Sequence, residues 1–410
     1  MFEVFLTKEQ KSLKKEAQDL VKWVPRQLIL DMDDEKIKFP TGWIQESGRR
    51  NLLAVRMPKE YGGRGLKWVD EFVVMDEITK LGVPLACVFG IVSLVCEVLN
   101  IFGTESQKQK YMKPLIAGKL WAGEALTEPR GGSDFFGATT TAKRATKGYI
   151  LNGQKRFVVG AEGADFFIVY AVTKPGAGRD SLSAFIAERD MGVEVKHVYG
   201  LMGSRGSGTG RIIFRDVHVP EENLLWGENK GSEVFYKMMV PERMAGAVGG
   251  SRAILEIAAR YAHRRKAFGQ PIRNFEAVSF RIAECITKLD AVSALAYVVA
   301  RTIDEGIGTA GSQRRLVSEL KKFSTQTQWE VANEAMQILG GIGYTRVFPV
   351  ERAVRETRLL QLWTGTNDIQ NLIIQHEYYK ELLSKVSDER NIEADVALSE
   401  AELAEEKIYE

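Results

Sequence analysis

Cysteine and histidine are scarce in this chain. Cys87, Cys96 and Cys285 are odd in number, scattered and set among apolar residues. That excludes a disulfide framework and fits small buried hydrophobes in a reducing compartment. The four histidines, His197, His218, His263 and His376, show no ligand spacing, so no structural metal is expected. Neither sign of charge prevails: 56 basic and 54 acidic residues leave a net charge of +2. This near-cancellation removes the electrostatic case for a nucleic-acid or anionic-membrane partner. The start, Met1-Phe2-Glu3-Val4, lacks the basic-then-apolar order of a signal peptide, and no uncharged apolar run reaches bilayer-spanning length. A soluble, cytoplasmic protein is expected.

What is present is ordinary globular material, 45% hydrophobic and 27% charged over 410 residues, enough for two or three folding units. Residues 1–120 read as helical. Thr7-Lys8-Glu9-Gln10 predicts a capping box at a helix start, and the apolar stretch from Leu85 to Phe102 predicts a buried helix. Residues 121–228 read as a β-domain, with short strands over Phe166–Val172, Leu182–Ala187 and Arg211–Val219. Within it, Asn152-Gly153 predicts a tight hairpin. From residue 229 to 386 helices return. Pro241 suits a first helical position, and Met244, Val248, Leu255, Ala258 and Ala262 share one apolar face. Residues 387–410 form an acidic tail. Beyond Ser387 there are nine acidic and two basic residues, which predicts a charged helix or a mobile extension.

Four stretches carry candidate chemistry. Ala125-Leu-Thr-Glu-Pro-Arg-Gly-Gly-Ser-Asp134 is a small-residue loop able to bring N–H groups and hydroxyls close to a flat polar ring and a pyrophosphate, or else a plain turn. Gln337-Ile-Leu-Gly-Gly-Ile-Gly-Tyr344 permits close backbone approach, or ends a helix in a glycine cap. Arg264-Arg-Lys-Ala-Phe-Gly-Gln270 offers phosphate and base contacts, or is a solvated helix end. Trp363-Thr-Gly-Thr-Asn-Asp368 is a polar loop before a helix, or a simple N-cap.

Their joint order resembles the acyl-CoA dehydrogenase family over roughly residues 1–385. The decapeptide 125–134, Pro58-Lys-Glu-Tyr-Gly-Gly63, Gly118, Arg265-x-x-Phe-Gly269 and Gln337-x-x-Gly-Gly-x-Gly-Tyr344 all stand in family order, with a departure at Val347. The resemblance implies an α+β multidomain fold: an α-helical N-terminal domain, a middle β-domain and a C-terminal four-helix bundle. It further implies a homotetramer that shares FAD between subunits, oxidises an acyl-CoA to the 2-enoyl-CoA and passes electrons to an electron-transfer flavoprotein.

By matching positions, the resemblance implies Leu126, Thr127, Ser133, Phe157 and Val159 around the flavin. Arg265, Phe268, Gln337 and Gly341 would meet the adenine and pyrophosphate across a subunit interface, with Thr366 and Asp368 completing that site. Ser133, Arg243 and Gly365 would lie near the acyl-CoA. Many members carry a catalytic glutamate just before the Gly-Thr pair; here Thr364 stands there and cannot serve. Glu242, expected on a first helical turn, matches the position used by isovaleryl-CoA and long-chain acyl-CoA dehydrogenases. Val159, where a threonine is usual, offers no side-chain donor, which implies an altered flavin potential or a different exposure of the ring edge to its electron acceptor. A base at Glu242 is associated with branched chains, so branched, aryl-substituted or dicarboxylic thioesters such as isovaleryl-CoA or benzylsuccinyl-CoA are expected. The alternatives are an oxidase or desulfinase of the same fold, or a catalytically silent FAD- or CoA-binding scaffold.

Overall fold

The computed structural model describes residues 4–244, 247–384, 390, 392 and 395, and for residues 240–244 the backbone only. The acidic tail lies almost wholly outside the described residues. The chain runs from helices to a sheet and back to helices.

The first unit holds α1 (Lys8–Trp23), α2 (Arg26–Asp33), α3 (Thr41–Arg49), α4 (Trp68–Ile78) and α5 (Val83–Phe102), followed by the short α6 (Glu105–Gln107) and α7 (Lys113–Ile116). The capping box is present: the Gln10 N–H donates to Thr7 Oγ1 at 3.2 Å, and the Thr7 N–H donates to Gln10 Oε1 at 3.1 Å. Helix α5 is long and apolar enough to cross a membrane by length and composition alone. Most of it is buried within this protein. Its one charge, Glu97, accepts from the Arg56 guanidinium at 2.7 Å.

The strands are β1 (Ala122–Ala125), β2 (Thr141–Ala145), β3 (Gly148–Val158), β4 (Phe166–Val172), β5 (Leu182–Glu188), β6 (Glu194–Val198), β7 (Gly210–Val219) and β8 (Leu224–Leu225). They form one sheet in the order β6-β7-β3-β2-β4-β5-β8, with β1 parallel to β4. Strand β4, paired on both sides, is almost wholly buried and reads as a continuous apolar run. The hairpin expected at Asn152-Gly153 is corrected. The turn falls at Thr146-Lys147, and Asn152-Gly153 lies inside β3 at a register shift against β7. Gly153 is needed there, since its φ is +143° and a Cβ would meet Thr140 Oγ1 at 2.6 Å.

The second helical unit contains α8 (Gly231–Met244), α9 (Gly249–Arg264), α10 (Glu276–Asp304), α11 (Ala310–Leu339), α12 (Val350–Leu360) and α13 (Asn367–Ser384), plus a small hairpin of β9 (Lys266–Ala267) and β10 (Gln270–Pro271). Helix α11 packs against α9, α10 and α13. The helix start expected at Pro241 is also corrected. Pro241 lies in the last turn of α8, and the next helix begins at Gly249. A proline inside a helix removes a backbone hydrogen bond, and α8 ends three residues later. Leu255, Ala258 and Ala262 do share the buried face of α9.

Candidate active site

A cavity of about 1130 Å³ lies where the two helical units meet the sheet. That is slightly above the usual size of a pocket for a single drug-sized ligand. One wall is the α5 face carrying Val83, Ala86, Cys87, Gly90, Ile91 and Leu94, with Met75 of α4 beside it. These positions recur three and four apart, so they form one stripe. Phe235, Tyr236 and Met239 of α8 line another wall. The Phe135 ring stacks on Phe235 with centroids 4.1 Å apart, tying the 125–137 loop to α8.

The sheet contributes two segments. Leu126, Thr127 and Ser133 face the cavity from the small-residue loop. Arg156, Phe157 and Val159 come from the end of β3, where a register shift between Lys155 and Val158 re-aims the strand. Phe157 is held at φ +54°, an uncommon conformation for a non-glycine residue. It remains 54% exposed. Beneath this loop, Lys155 and Glu128 form a fully buried ion pair at 2.9 Å. Burial raises the Glu128 carboxyl, but the Lys155 charge and the Thr139 hydroxyl and N–H overcome that and hold it at about 2.

The helical unit closes the cavity with Trp363, Thr364, Gly365 and Thr366. Thr364 has φ +54°, strained for a β-branched residue. The loop is over-determined: Lys321 Nζ donates to Gly365 O at 2.8 Å and to Asn367 Oδ1 at 2.9 Å, and Gln370 Nε2 donates to Gly365 O at 3.1 Å. Thr366 also caps α13, its hydroxyl accepting from the Ile369 N–H at 3.3 Å. The capping role and the cavity-lining role therefore coexist in one segment.

Of the residues singled out from sequence, the cavity brings together Leu126, Thr127, Ser133, Phe157, Val159, Gly365 and Thr366. It does not include Arg265, Phe268, Gln337, Gly341 or Asp368. Asp368 sits in the first turn of α13. Arg265, Gln337 and Gly341 are exposed, and Phe268 is 95% exposed. These four do emerge near one another. A separate apolar cluster joins Ala258 and Ala262 of α9 to Ala335, Ile338 and Leu339 of α11, which brings the ends of both helices together. The side chains of Glu242 and Arg243 lie outside the described residues; their backbone is in the last turn of α8, not in a first turn as expected. The favourable N-terminal dipole anticipated for a carboxylate at 242 is therefore missing.

Sequence reading missed Glu356, Arg352, Arg156 and Lys321 as cavity residues. Glu356 is buried, accepts from the Val83 N–H at 2.9 Å, and is pushed up by burial to about 7 against the pull of Arg352. Its only signal in the sequence was an acid on the apolar side of an amphipathic helix. Arg156 Nε is buried without a hydrogen-bond partner among the described residues, a donor suited to an acceptor-rich ligand.

A large cavity with one apolar arm, and with a polar mouth built from a sheet loop and a helix-start loop, suits a ligand that has an apolar part and a polar head. Comparison with known proteins gives the particular family. The acyl-CoA dehydrogenase N-terminal, middle and C-terminal domain families match residues 7–119, 123–217 and 229–379. An acyl-CoA dehydrogenase of Bacillus subtilis (strain 168) is 34% identical over 90% of this chain and 97% of its own. Subunit CarC of the caffeyl-CoA reductase-Etf complex of Acetobacterium woodii is 33% identical, over 90% and 98%. Mitochondrial isovaleryl-CoA dehydrogenase of Oryza sativa subsp. japonica is 32% identical, over 92% of each. Among solved structures, butyryl-CoA dehydrogenase from Megasphaera elsdenii superposes with a TM-score of 0.85 at 29% identity, covering 91% of this chain and 99% of that one. An acyl-CoA dehydrogenase from Bacillus anthracis in complex with FAD also gives 0.85 at 29% identity, over 92% and 68%. This chain belongs to the acyl-CoA dehydrogenase family, with its three-part fold, and is an oxidoreductase acting on a CH–CH bond.

Proposed function

We propose that this enzyme oxidises the Cα–Cβ bond of a branched or aryl-substituted acyl-CoA, with FAD as cofactor and Glu242 as the base that takes the α-proton. The observation carrying this reading is the pair of facts about α8 and Thr364. The loop position beside Gly365 has no acid. Position 242 lies three residues beyond Met239 and seven beyond Phe235, the spacing of one helical face, and both of those residues line the cavity. The backbone thus supports placing position 242 on the face of α8 that carries Phe235 and Met239.

The residues fit FAD. Leu126, Thr127, Ser133 and the unpartnered Arg156 Nε offer donors where a flat polar ring would lie, Phe157 and Val159 offer an apolar surface, and Thr366 and Gly365 close the far side. The chemistry FAD supplies when bound is acceptance of the hydride leaving Cβ. This chain's own part is to hold the thioester, exclude water from the apolar arm and move one proton to the Glu242 carboxylate. Ser133, Arg243 and Gly365 are assigned to the thioester side.

A branched or aryl chain is supported by the small residues Ala86, Cys87 and Gly90 on the α5 stripe. A Cβ at position 90 would meet only Met75 Cε, at 3.8 Å, so the arm is wide there. Two cations on this side, Lys80 and Arg352, are already paired with Glu77 at 2.5 Å and Glu356 at 3.4 Å. That weakens the case for a dicarboxylic chain such as benzylsuccinyl-CoA. The CarC relative supports an electron-transfer flavoprotein as redox partner, and an enoyl-CoA substrate run in the reductive direction is the second reading it favours. The exposed Phe268 and Tyr344 support a homotetramer in which Arg265, Phe268, Gln337 and Gly341 reach the FAD of a second copy, with Asp368 as a proposed further contact that completes the site. Three free cysteines are compatible with a cytoplasmic location.

The test is anaerobic bleaching of the flavin by a panel of acyl-CoA thioesters, in wild type and Glu242→Gln. Wild type is expected to bleach best with isovaleryl- or aryl-substituted thioesters. The variant is expected to keep FAD and lose bleaching by at least about 10³-fold. Bleaching at the wild-type rate in the variant would remove Glu242 from the mechanism.

A further inference from the structure

The cavity-lining loop 126–133 rests on a lysine that no part of the proposed chemistry uses. Lys155 is fully buried. Its Nζ donates to Leu126 O at 3.1 Å and to Glu128 Oε1 at 2.9 Å. Glu128 is in turn saturated: Oε2 accepts from the N–H and the hydroxyl of Thr139, both at 2.6 Å, and Oε1 accepts from the Thr140 N–H at 2.9 Å. A buried pair of this kind adds little net stability compared with apolar packing of the same volume, because both charges lose their hydration. What it does impose is direction.

In a trans peptide the C=O and N–H point opposite ways. The Leu126 carbonyl is turned down onto the buried ammonium, so the Thr127 N–H of the same peptide is turned up, on the side where Leu126 and Thr127 line the cavity. That N–H makes no hydrogen bond to any described residue. On the following peptide, Thr127 O accepts from the Arg156 N–H at 2.7 Å, which pins the loop to β3 just before the residues that form the facing wall.

We propose that Lys155 is a positioning residue for the cofactor: by holding the Leu126 carbonyl, it presents the Thr127 N–H to an acceptor on the edge of the bound flavin ring. Glu128 serves as the counter-ion of the ammonium, whose bond to the Leu126 carbonyl is separate, and has no direct role toward the ligand. The inference rests on the FAD reading above, and its test separates the two.

The experiment measures FAD affinity and the flavin absorption spectrum, without substrate, for the full chain and three variants. Glu128→Gln keeps Lys155 and its bond to Leu126; it is expected to lower the melting temperature while leaving the FAD dissociation constant within about twofold. Lys155→Met is expected to raise that constant about tenfold or more and to shift the flavin absorption bands. The double variant Lys155→Met/Glu128→Gln, which leaves no unpaired buried charge, is expected to stay folded and to show the same loss. The proposal is overturned if the folded double variant binds FAD as wild type does. It is equally overturned if Glu128→Gln weakens FAD as much as Lys155→Met, since the pair would then be only a structural brace. A wild-type chain that binds no FAD overturns the cofactor reading and this inference with it.

Discussion

Thr364 shows how one residue can be legible in chemistry and illegible in conformation. Its inability to act as a base was plain from the sequence, whereas its positive φ was not, because nothing local demands it. The strain is imposed by Lys321 and Gln370, which grip the neighbouring Gly365 carbonyl from two helices. Glu356 was invisible for a related reason: its raised pKa comes from burial among elements distant in sequence. Because its folded pKa of about 7 lies above the ordinary 4.5, the folded state binds the extra proton between those values. The stability it contributes is therefore complete below about pH 4.5 and is lost as pH rises through about 7. Glu356→Gln should remove this dependence. Urea titrations at pH 5 and pH 8 should show the wild-type drop in stability shrinking by on the order of 3 kcal/mol or less in the variant. The variant should still bleach with substrate, since the carboxyl is engaged by the Val83 N–H at the start of α5.

At the scale of elements, helices and strands with strong periodicity were read well. The capping box at Thr7, the buried α5, and the strands read at Phe166–Val172 and Leu182–Ala187, the latter extending one residue further to Glu188, follow from local pattern alone. The two misreadings share a cause. Asn152-Gly153 and Pro241 each carry a strong local signal for a boundary, and in each case packing overrode it. Gly153 is spent on a close approach to Thr140, while α8 continues through Pro241 for one more turn. A second glycine effect sets the cavity itself. Gly250, in the first turn of α9, lies so close to the end of α4 that a Cβ would sit 2.4 Å from Thr79 O, and its N–H donates to Thr79 Oγ1 at 3.1 Å. Gly250→Val should force α9 away from Thr79 and destabilise the protein by about 1–3 kcal/mol. Denaturant unfolding checks the stability loss. A companion loss of substrate affinity is expected because Thr79, Gly250 and Ile254 all line the cavity.

At the scale of the molecule, the exposed end of the second helical unit is the feature a single chain leaves unexplained. Phe268 is 95% exposed, Tyr344 82% and Val347 66%, and all three lie at the end where α9 and α11 converge. Exposed apolar groups gathered in this way mark a binding surface. If a second copy covers them, Phe268→Asp and Tyr344→Asp should shift the protein toward smaller species on sizing with light scattering, and FAD retention should fall in parallel. An unchanged oligomer with unchanged FAD would separate this surface from assembly. The sequence by itself determined the family resemblance, the order of helices, strands and helices, and the absence of an acid at Thr364, because each of these is written in residue identity and short-range period. Only the tertiary structure decided that Lys155 lies beneath the 126–133 loop, that Glu356 faces the cavity, and that position 242 lies late in a helix and not in a first turn. Those depend on which distant elements exclude water from a side chain and on how long a helix persists once packed, and neither is a local property.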